Sequence, residues 1–238
     1  MQLKAINQIS GEIKLLTGLR IGAGNEEMHI GGMDNPVIKH PYTQEPYIPG
    51  SSLKGKMRSL LEWRAGIVAL CKDKKGNPGK PVSVEHLKDM NERQRRDAEA
   101  IIRLFGISGD AGDAAEKYGP TRMAFWDCNL TEEHRQFVRD NNYLYTEAKS
   151  ENSINRITGV ADNPRQTERV PAGAKFTFRL NLKVLDENDT DLLDLVKIGL
   201  KMLTLDGIGG SGSRGYGKIE FDGLTLNGQA FDLPETLF

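Results

Sequence analysis

The chain has 238 residues, a net charge of −1, 38% hydrophobic residues and 27% charged residues. This composition is typical of a soluble globular protein, and no apolar run approaches the roughly 18 residues that a membrane-spanning helix needs, so a membrane protein is excluded. The amino terminus lacks a basic region followed by an apolar core, which predicts a cytoplasmic protein without a secretory signal.

Positive charge is concentrated locally, although the whole chain is close to neutral. Residues 54–64 contain four cations and one acid, whereas residues 186–194 contain five acids and no base. Nucleic-acid-binding proteins use such a local surplus of cations to displace counterions from phosphates. The net charge therefore does not exclude an RNA partner.

The amino-terminal part of the chain predicts one strand followed by a long loop. Apolar residues alternate with polar ones over residues 6–17, and an irregularity is expected near Gly11. Residues 19–47 show almost no periodicity and contain three prolines and a pair of adjacent glycines. Loops of this length inside a compact domain are often functional.

The stretch PGSSLKGKMR, residues 49–58, predicts the start of a helix. Ser51 is a favourable N-cap, and apolar residues then recur at helical spacing to about Leu70. Lys54 and Arg58 lie in the first turns, where the helix macrodipole disfavours cations and favours anions. A phosphate would gain from the serine hydroxyls, the free N–H groups and the cations together, so the sequence predicts an anion there.

The middle of the chain predicts an insertion, a buried strand and polar loops. Residues 71–105 are interpreted as an inserted helical piece, in which a connector rich in Lys, Gly and Pro precedes a helix over 83–105. A flexible loop, GISGDAGDAAEKYGP, leads to a buried strand over residues 122–130. Residues 131–174 are polar and are not expected to bury much surface by themselves.

The last third of the chain contains the clearest periodic patterns. Residues 176–184 alternate strictly between apolar and polar side chains and predict a strand, and residues 191–205 predict an amphipathic helix before a final strand. Without its insertions the chain has the order strand, helix, strand, strand, helix, strand. This order predicts an α+β, ferredoxin-like fold with an antiparallel sheet, as in RNA-recognition motifs, and both helices on one face.

A glycine-rich segment, residues 207–217, precedes the last strand and holds six glycines around two serines and Arg214. Such a segment lets backbone amides approach an anion closely, and the arginine can add a bidentate contact. A flexible turn is the less favoured alternative. The spacing is not that of a Walker loop, and a strand follows in place of a helix, so a nucleotide-hydrolysing enzyme is a poor fit.

Four motifs in the same order resemble one known family: IPGSSLKGKMRSLLE, LFG after the helical insertion, SENSINRITGVADNPRQTERVPAG and GIGGSGSRGYGKI. Together they resemble the repeating backbone subunit of the type III-A CRISPR effector, the Csm complex, within the RAMP superfamily. The resemblance covers nearly the whole chain. It implies an endoribonuclease of antiviral defence that binds a CRISPR guide RNA and cleaves complementary target RNA at regular intervals.

The resemblance also implies an architecture and a set of partners. Residues 1–238 would form a single RAMP domain with a ferredoxin-like palm, a helical insertion at about 71–105 and a projecting thumb hairpin at about 140–174. The thumb would wedge between guide and target RNA, with its tip near residues 157–164. Copies of the subunit would form a helical filament along the guide RNA with other Csm-complex subunits, without a membrane.

The family carries a catalytic aspartate in the loop between the first strand and the first helix, where GGMDNP places Asp34. One carboxylate holds Mg²⁺ or Mn²⁺ weakly, so the metal would be shared between Asp34 and RNA phosphate oxygens. The adjacent ribose 2′-hydroxyl would then attack the phosphate and leave a cyclic phosphate. Apart from the family, an Asp before Asn-Pro is more often a turn former. His29, Asp110 and Glu147 are weaker candidates for assisting cleavage.

Residues expected to contact the guide RNA lie near the first helix and in the glycine-rich segment. They are Arg20, Ser51, Ser52, Lys54, Arg58, Gly209, Gly210, Ser211, Gly212 and Arg214. For Arg20, an equally favoured interpretation is a charged side chain that is exposed to solvent at the end of the first strand and does not contact RNA. A zinc site is doubtful, because some relatives have clustered cysteines ahead of LFG, whereas only Cys71 lies in that region here.

Two other functions stay open at the level of the sequence. A non-catalytic RNA-binding scaffold of the same complex would leave Asp34 as a turn residue, with cleavage carried out elsewhere. A metal-independent nuclease that processes CRISPR repeat RNA would need a positioned general acid and base, and the four histidines show no compelling pairing. Cleavage assays with Mg²⁺ and with a chelator separate the first two functions, and cleavage of repeat RNA by the isolated chain would favour the third.

Overall fold

The computed structural model describes residues 2–22, 36–107 and 113–237. The strands are β1 (Ala5–Leu15), β2 (Tyr47–Ile48), β3 (Met123–Phe125), β4 (Cys128–Asn129), β5 (Glu147–Ile154), β6 (Ala161–Arg169), β7 (Lys175–Val184), β8 (Ile219–Leu226) and β9 (Gln229–Ala230). The α-helices are α1 (Gly50–Arg64), α2 (Glu92–Phe105), α3 (Asp113–Tyr118), α4 (Glu132–Asp140) and α5 (Leu192–Asp206). In the described part of the chain, no helix is both long and apolar enough to cross a membrane.

Five strands form one sheet in the order β3-β7-β1-β8-β9, and each neighbouring pair is antiparallel. β1 lies between β7 and β8, and its pairing with β7 begins with Ala5 opposite Val184. The register between β1 and β8 shifts between Ser10 and Glu12, which confirms the irregularity predicted at this point of the strand. The structure therefore combines helices with an antiparallel sheet, as predicted.

The core lies between this sheet and the helices α1 and α5. Alternate residues of the two longest strands are buried, as expected for strands with one wet face. These residues are Ile9, Ile13, Phe176, Phe178, Leu180 and Leu182. α1 and α5 also contact each other, with Met57 packed on Gly199. Full burial of such an apolar side chain contributes about 1.5–3 kcal/mol, so this layer supplies most of the driving force for folding.

The strand predicted over residues 122–130 is in fact two strands. β3 pairs with β7 in the main sheet, whereas β4 pairs with β2, and Leu130 directly after β4 forms a bridge with Phe176 of β7. Between them lies Asp127, whose Oδ1 accepts the N–H of Gly50 at 2.8 Å. The bend therefore places a carboxylate on an open N–H group at the start of α1, and the prediction of one continuous strand is wrong.

The polar segment after β4 contains a short helix, α4, that the sequence analysis missed. The hydroxyl of Thr131 accepts the N–H of His134 at 3.2 Å and caps this helix. Glu132 and Glu133 lie in its first turn, where negative charge is favourable. Among its described side chains only Val138 is buried, so the helix has almost no apolar periodicity to detect.

The insertion between α1 and β3 contains less helix than predicted. α1 ends at Arg64 and does not reach Leu70. The region expected to be helical from residue 83 begins as a 3₁₀ turn, and α2 starts only after Asn91. The side chain of Asn91 accepts the N–H of Gln94 at 2.9 Å and forms a capping box with it, which defines the start of α2.

Gly217 lies where the glycine-rich segment returns to the sheet. Its φ is +74°, and a Cβ at this position would lie 1.9 Å from the carbonyl oxygen of Ile208. We expect Gly217→Ala to lower the free energy of unfolding by at least about 2 kcal/mol, because both the backbone conformation and the close contact exclude a side chain.

Gly212→Ala provides the matched control, since no heavy atom lies within 4 Å of a Cβ placed there. Urea unfolding of both variants measures the difference, and we expect the control to stay within about 0.5 kcal/mol of the wild type. Equal stability of the two variants would contradict the role assigned to Gly217.

Candidate nucleic-acid interface

The structure brings the predicted contact Arg20 next to the glycine-rich segment. The N–H of Gly210 donates to the carbonyl oxygen of Arg20 at 2.9 Å, and the N–H of Gly217 donates to that of Gly18 at 2.9 Å. Backbone hydrogen bonds thus fix this segment to the chain that follows β1, in contrast to a flexible turn. They also use the Gly210 amide, which is therefore not available to an anion.

The exposed residues of the glycine-rich segment include a single 3₁₀ turn, Gly212–Arg214. Ser211 precedes it with a φ of +62°, and its carbonyl oxygen accepts the N–H of Arg214 at 2.9 Å. Gly212 and Arg214 are exposed. This turn is the part of the segment whose backbone and arginine can meet a phosphate from solvent.

Arg214 also connects the glycine-rich segment to the hairpin of β5 and β6. Its Nη1 donates to Oε2 of Glu151 at 2.8 Å, and the hydroxyl of Tyr216 donates to Oε1 of the same residue at 2.7 Å. The hydrogen bonds from Tyr216 and Arg214 lower the pKa of Glu151. Lys149 lies over the ring of Tyr216, with 4.4 Å between its Nζ and the ring centroid. These contacts hold the hairpin to the sheet.

The hairpin itself extends away from the core. Thr167 and Glu168 are the buried residues of its two strands, and both lie near its base. Ile157, between the strands, is 96% exposed and falls within the predicted tip. A polar cavity of about 480 Å³ lies between the hairpin and the glycine-rich segment. It is lined by Glu151, Asn152, Ser153, Asn163, Arg165 and Arg214.

The start of α1 carries accessible hydroxyls and positive charge. The helix begins at Gly50 with Pro49 at the N-cap position, and the Asp127 carboxylate accepts the N–H of Gly50, so the predicted N-cap role of Ser51 is wrong. Ser51 is exposed and Ser52 is partly exposed. Burial, together with the charge of Arg58, lowers the pKa of Lys54. A nearby anion would favour the protonated lysine and complement the helix dipole.

Arg58 points into the protein and binds the insertion. Its Nε donates to Oε1 of Glu62 at 2.9 Å, and its Nη2 donates to the carbonyl oxygen of Val82 at 2.7 Å. Glu62 also accepts the N–H of Val82 at 2.9 Å. Because these bonds fasten the insertion to α1, we assign Arg58 a structural role and no longer count it among the guide contacts.

Three of the predicted catalytic or assisting residues lie outside the described part of the chain. They are His29, Asp34 and Asp110. The structure describes both ends of the segment that carries the first two of these residues. Gly22 pairs with Val37, and the N–H of Ile38 donates to the carbonyl oxygen of Ile21 at 2.9 Å. The two ends of this segment therefore lie side by side.

Two glutamates lie at the base of the hairpin, near the ends of this segment. Glu147, a predicted assisting residue, accepts a hydrogen bond from Nε of Arg169 at 2.7 Å. Glu168 is buried and accepts from the N–H of Val37 at 2.9 Å and from Nζ of Lys39 at 2.5 Å. The sequence analysis missed Glu168, because no periodicity in its polar surroundings marks a buried position.

The described residues contain no group of three or more His, Cys, Asp or Glu side chains that could hold a metal ion. Burial raises the pKa of the Cys71 thiol to about 11 and that of Cys128 to about 12. Nε2 of His86 is 2.9 Å from the carbonyl oxygen of Lys72. Both thiols are thus protonated at neutral pH and are poor nucleophiles.

Comparison with known proteins finds relatives over almost the whole chain. The family model described as the RAMP superfamily matches residues 12–220. A protein of Methanothermobacter thermautotrophicus named CRISPR system Cms endoribonuclease Csm3 is 40% identical over 231 residues, which cover 92% of this chain and 84% of that protein.

Solved structures of similar proteins share the fold. The Csm3 crystal structure from Methanopyrus kandleri has a TM-score of 0.61 and 26% identity, and the match covers 91% of this chain and 75% of that one. A chain of the Csm3-Csm4 subcomplex in the type III-A CRISPR-Cas interference complex has a TM-score of 0.54 and 28% identity, covering 95% of this chain and 80% of that one. Each match therefore covers more than nine-tenths of this chain.

Proposed function

The chain belongs to the RAMP superfamily, and from this membership we propose that it is the RNA-cleaving backbone subunit of a type III-A CRISPR interference complex. The observation that carries the proposal is the 40% identity, over 92% of the chain, to a protein named as a Csm3 endoribonuclease. In this role the subunit binds a CRISPR guide RNA and cleaves complementary target RNA at regular intervals in antiviral defence. Base pairing selects the target, whereas the protein binds backbone and shape.

Residues 1–238 would form a single domain built on a ferredoxin-like palm. The strand order β3-β7-β1-β8, with α1 and α5 in contact, supports this assignment. In this domain the helical insertion would lie at about 71–105, and the hairpin within residues 140–174 would be the projecting thumb. The exposure of the hairpin supports a role in which it leaves the core and contacts RNA.

The guide RNA would run across the start of α1 and the exposed turn of the glycine-rich segment. Both places offer hydroxyl or backbone N–H donors and a cation, features that bind successive phosphates. At the start of α1 the donors are mainly the serine hydroxyls, because the N–H groups of Gly50 and Ser52 already have partners. The proposed contacts are Arg20, Ser51, Ser52, Lys54, Gly209, Ser211, Gly212 and Arg214. Copies of the subunit would line the guide in a helical filament beside other Csm-complex subunits, in keeping with the similarity to a chain of the Csm3-Csm4 subcomplex.

Cleavage would be an internal transfer within the target RNA. The ribose 2′-hydroxyl attacks the adjacent phosphorus, the bond from phosphorus to the 5′-oxygen breaks, and a 2′,3′-cyclic phosphate and a 5′-hydroxyl remain. We assign Asp34 as the carboxylate that accepts the proton of the 2′-hydroxyl. The leaving 5′-oxygen takes a proton from water.

The proposed reaction depends on Mg²⁺ or Mn²⁺, although the described residues do not fit a resident metal site. One carboxylate binds these hard cations weakly, so Asp34 would share the ion with phosphate oxygens of the bound RNA. Metal dependence should therefore be strong and fully reversible.

Metal removal tests the proposal on the purified complex with its guide RNA. We expect target RNA to be cut at regular intervals with Mg²⁺, to remain intact with excess EDTA, and to be cut again when Mg²⁺ is restored. The cyclic phosphate on the products distinguishes this reaction from hydrolysis by a metal-bound water. Undiminished cutting in EDTA would contradict the metal dependence, and a complex without bound RNA would contradict the function as a whole.

A further inference from the structure

Glu168 joins three parts of the chain through one buried carboxylate. Its Oε2 accepts the N–H of Val37 at 2.9 Å, and its Oε1 accepts Nζ of Lys39 at 2.5 Å and the hydroxyl of Thr146 at 2.7 Å. Its side chain is only 5% exposed. Donors on both oxygens thus stabilise a charge whose burial without partners costs several kcal/mol.

The donors to Glu168 lie in two parts of the chain, at the base of the hairpin and just after the segment that carries Asp34. Thr146 directly precedes β5, and Glu168 lies near the end of β6, so this contact closes the base of the hairpin. Val37 and Lys39 follow the segment that carries Asp34, and Val37 closes that segment by pairing with Gly22. One carboxylate therefore binds the end of this segment to both strands of the hairpin.

The covalent chain makes this contact relevant to Asp34. Val37 is three residues after Asp34, and three residues of chain span at most about 11 Å. The position of Val37 thus limits where the Asp34 carboxylate can lie, whatever the conformation between them. A shift of Glu168 would displace the end of the Asp34 segment relative to the hairpin.

Glu168 makes these contacts in its ionised form. Burial alone would raise its pKa, but the hydrogen bonds from Lys39, Thr146 and the Val37 amide outweigh burial, so the pKa lies below its ordinary value. At neutral pH both oxygens are therefore acceptors, and each has a donor.

We propose that Glu168 is a positioning residue for RNA cleavage, which fixes the end of the Asp34 segment to the base of the hairpin. The inference rests on the proposed catalytic role of Asp34 and on the hairpin as the thumb. Since the thumb would contact RNA at each cleavage site, this carboxylate would limit the distance between the bound RNA and Asp34. It touches no reacting atom itself.

Glu168→Gln tests the proposal, because a glutamine offers an acceptor oxygen on only one side. If that oxygen faces Val37, the amide NH₂ group faces the ammonium group of Lys39. If the amide is flipped, the NH₂ group faces the N–H of Val37, so one donor meets another in either orientation. In the complex with guide RNA, we expect single-turnover cleavage of saturating target to slow at least about tenfold, because small displacements of catalytic groups are costly. The Kd for target RNA should stay within about twofold, since Glu168 contacts no RNA.

The double variant Glu168→Gln/Lys39→Met supplies a rescue. Without the ammonium group, the amide oxygen can accept from Val37 while the amide nitrogen donates to the hydroxyl oxygen of Thr146. We expect cleavage to recover to within about threefold of the wild-type rate, because the anchor on Val37 is restored. If the single variant Glu168→Gln does not assemble into the complex, the double variant tests the proposal instead, because the proposal predicts that the double variant assembles and cleaves.

Glu62→Gln is the matched control elsewhere in the fold. Glu62 is also buried, and it also accepts one backbone N–H and one cation, from Val82 and Arg58. Both donors reach the same oxygen, Oε1, so a glutamine can keep both hydrogen bonds. We expect this variant to assemble and to cleave within about twofold of the wild type, because Glu62 lies in an independent part of the structure. A wild-type rate for Glu168→Gln, no rescue in the double variant, or an equal loss in Glu62→Gln would each overturn the proposal.

Asp34→Ala in the same assay separates this inference from the proposed function. If Asp34→Ala cleaves normally, the catalytic assignment itself is wrong. If Asp34→Ala is inactive while Glu168→Gln is fully active, only the positioning role of Glu168 is wrong.

Discussion

Asp34→Ala is expected to abolish cleavage of target RNA at the regular sites while the guide and target RNAs remain bound. A positioned acid or base contributes about 10²–10⁴-fold to the rate, so the single-turnover rate should fall at least about 100-fold. Asp34 is not among the proposed guide contacts, and we therefore expect the affinities for both RNAs to stay within about twofold. Separate binding and cleavage measurements on the assembled complex check the two parts of this prediction.

Asp232→Ala is a suitable control for the loss of an acid, because Asp232 is exposed near the carboxyl terminus. Asp34→Asn adds a variant of nearly unchanged volume, which removes the charge and the proton acceptor. We expect the Asp232 variant to cleave normally and both Asp34 variants to be inactive. Continued cutting at the regular sites by the Asp34 variants would favour a non-catalytic scaffold, in which Asp34 is a turn residue.

Arg122 is the residue whose loss should destabilise the fold most. Its side chain is 1% exposed, and its guanidinium donates to the carbonyl oxygens of Tyr118 at 2.5 Å and Pro120 at 2.7 Å. It also donates to Asp189, whose side chain is fully buried, at 3.1 Å. Arg122 thus joins the segment before β3 to the connection between β7 and α5.

We expect Arg122→Ala to lower the free energy of unfolding by about 3–5 kcal/mol, because it removes the donor to two carbonyl oxygens and leaves the buried Asp189 carboxylate with one guanidinium, that of Arg103 at 3.6 Å. Urea unfolding of the isolated chain measures the loss. Lys4→Met is the control, since Lys4 pairs at 3.4 Å with Glu187, whose side chain is 93% exposed in the same connection. An exposed pair contributes little, so the control should stay within about 0.5 kcal/mol of the wild type. Similar stability of the two variants would show that the buried pair does not stabilise the fold.

The strongest periodic patterns of the sequence predicted the elements of the sheet and the two helices that pack on it. β1, β7 and α5 each bury one regular set of apolar residues, so local alternation determines their structure. The split between β3 and β4 was not predictable, because it depends on a hydrogen bond between Asp127 and Gly50, which are distant in sequence. α4 was missed since its polar composition gives no apolar stripe.

The sequence predicted the elements of the candidate site better than the roles of individual side chains. The structure places Arg20 beside the glycine-rich segment, a proximity that no local pattern in the sequence predicted. Arg58, however, is used inside the protein, because a buried carboxylate four residues further along the helix, Glu62, accepts its hydrogen bond. Glu151 and Glu168 lie in a polar run in which every acid looks solvated, and only the folded chain brings their distant partners within reach.

The exposed hairpin has a consequence for how stability is distributed along the chain. Two paired strands that are exposed on both faces are marginally stable in water, and this pair is tied to the sheet near its base by Glu151 and Glu168. Such a unit opens by local unfolding at a free energy well below that of the whole protein. Unfolding of the hairpin and cooperative unfolding of the sheet are then separate transitions. Bound RNA would stabilise the hairpin far more than the sheet.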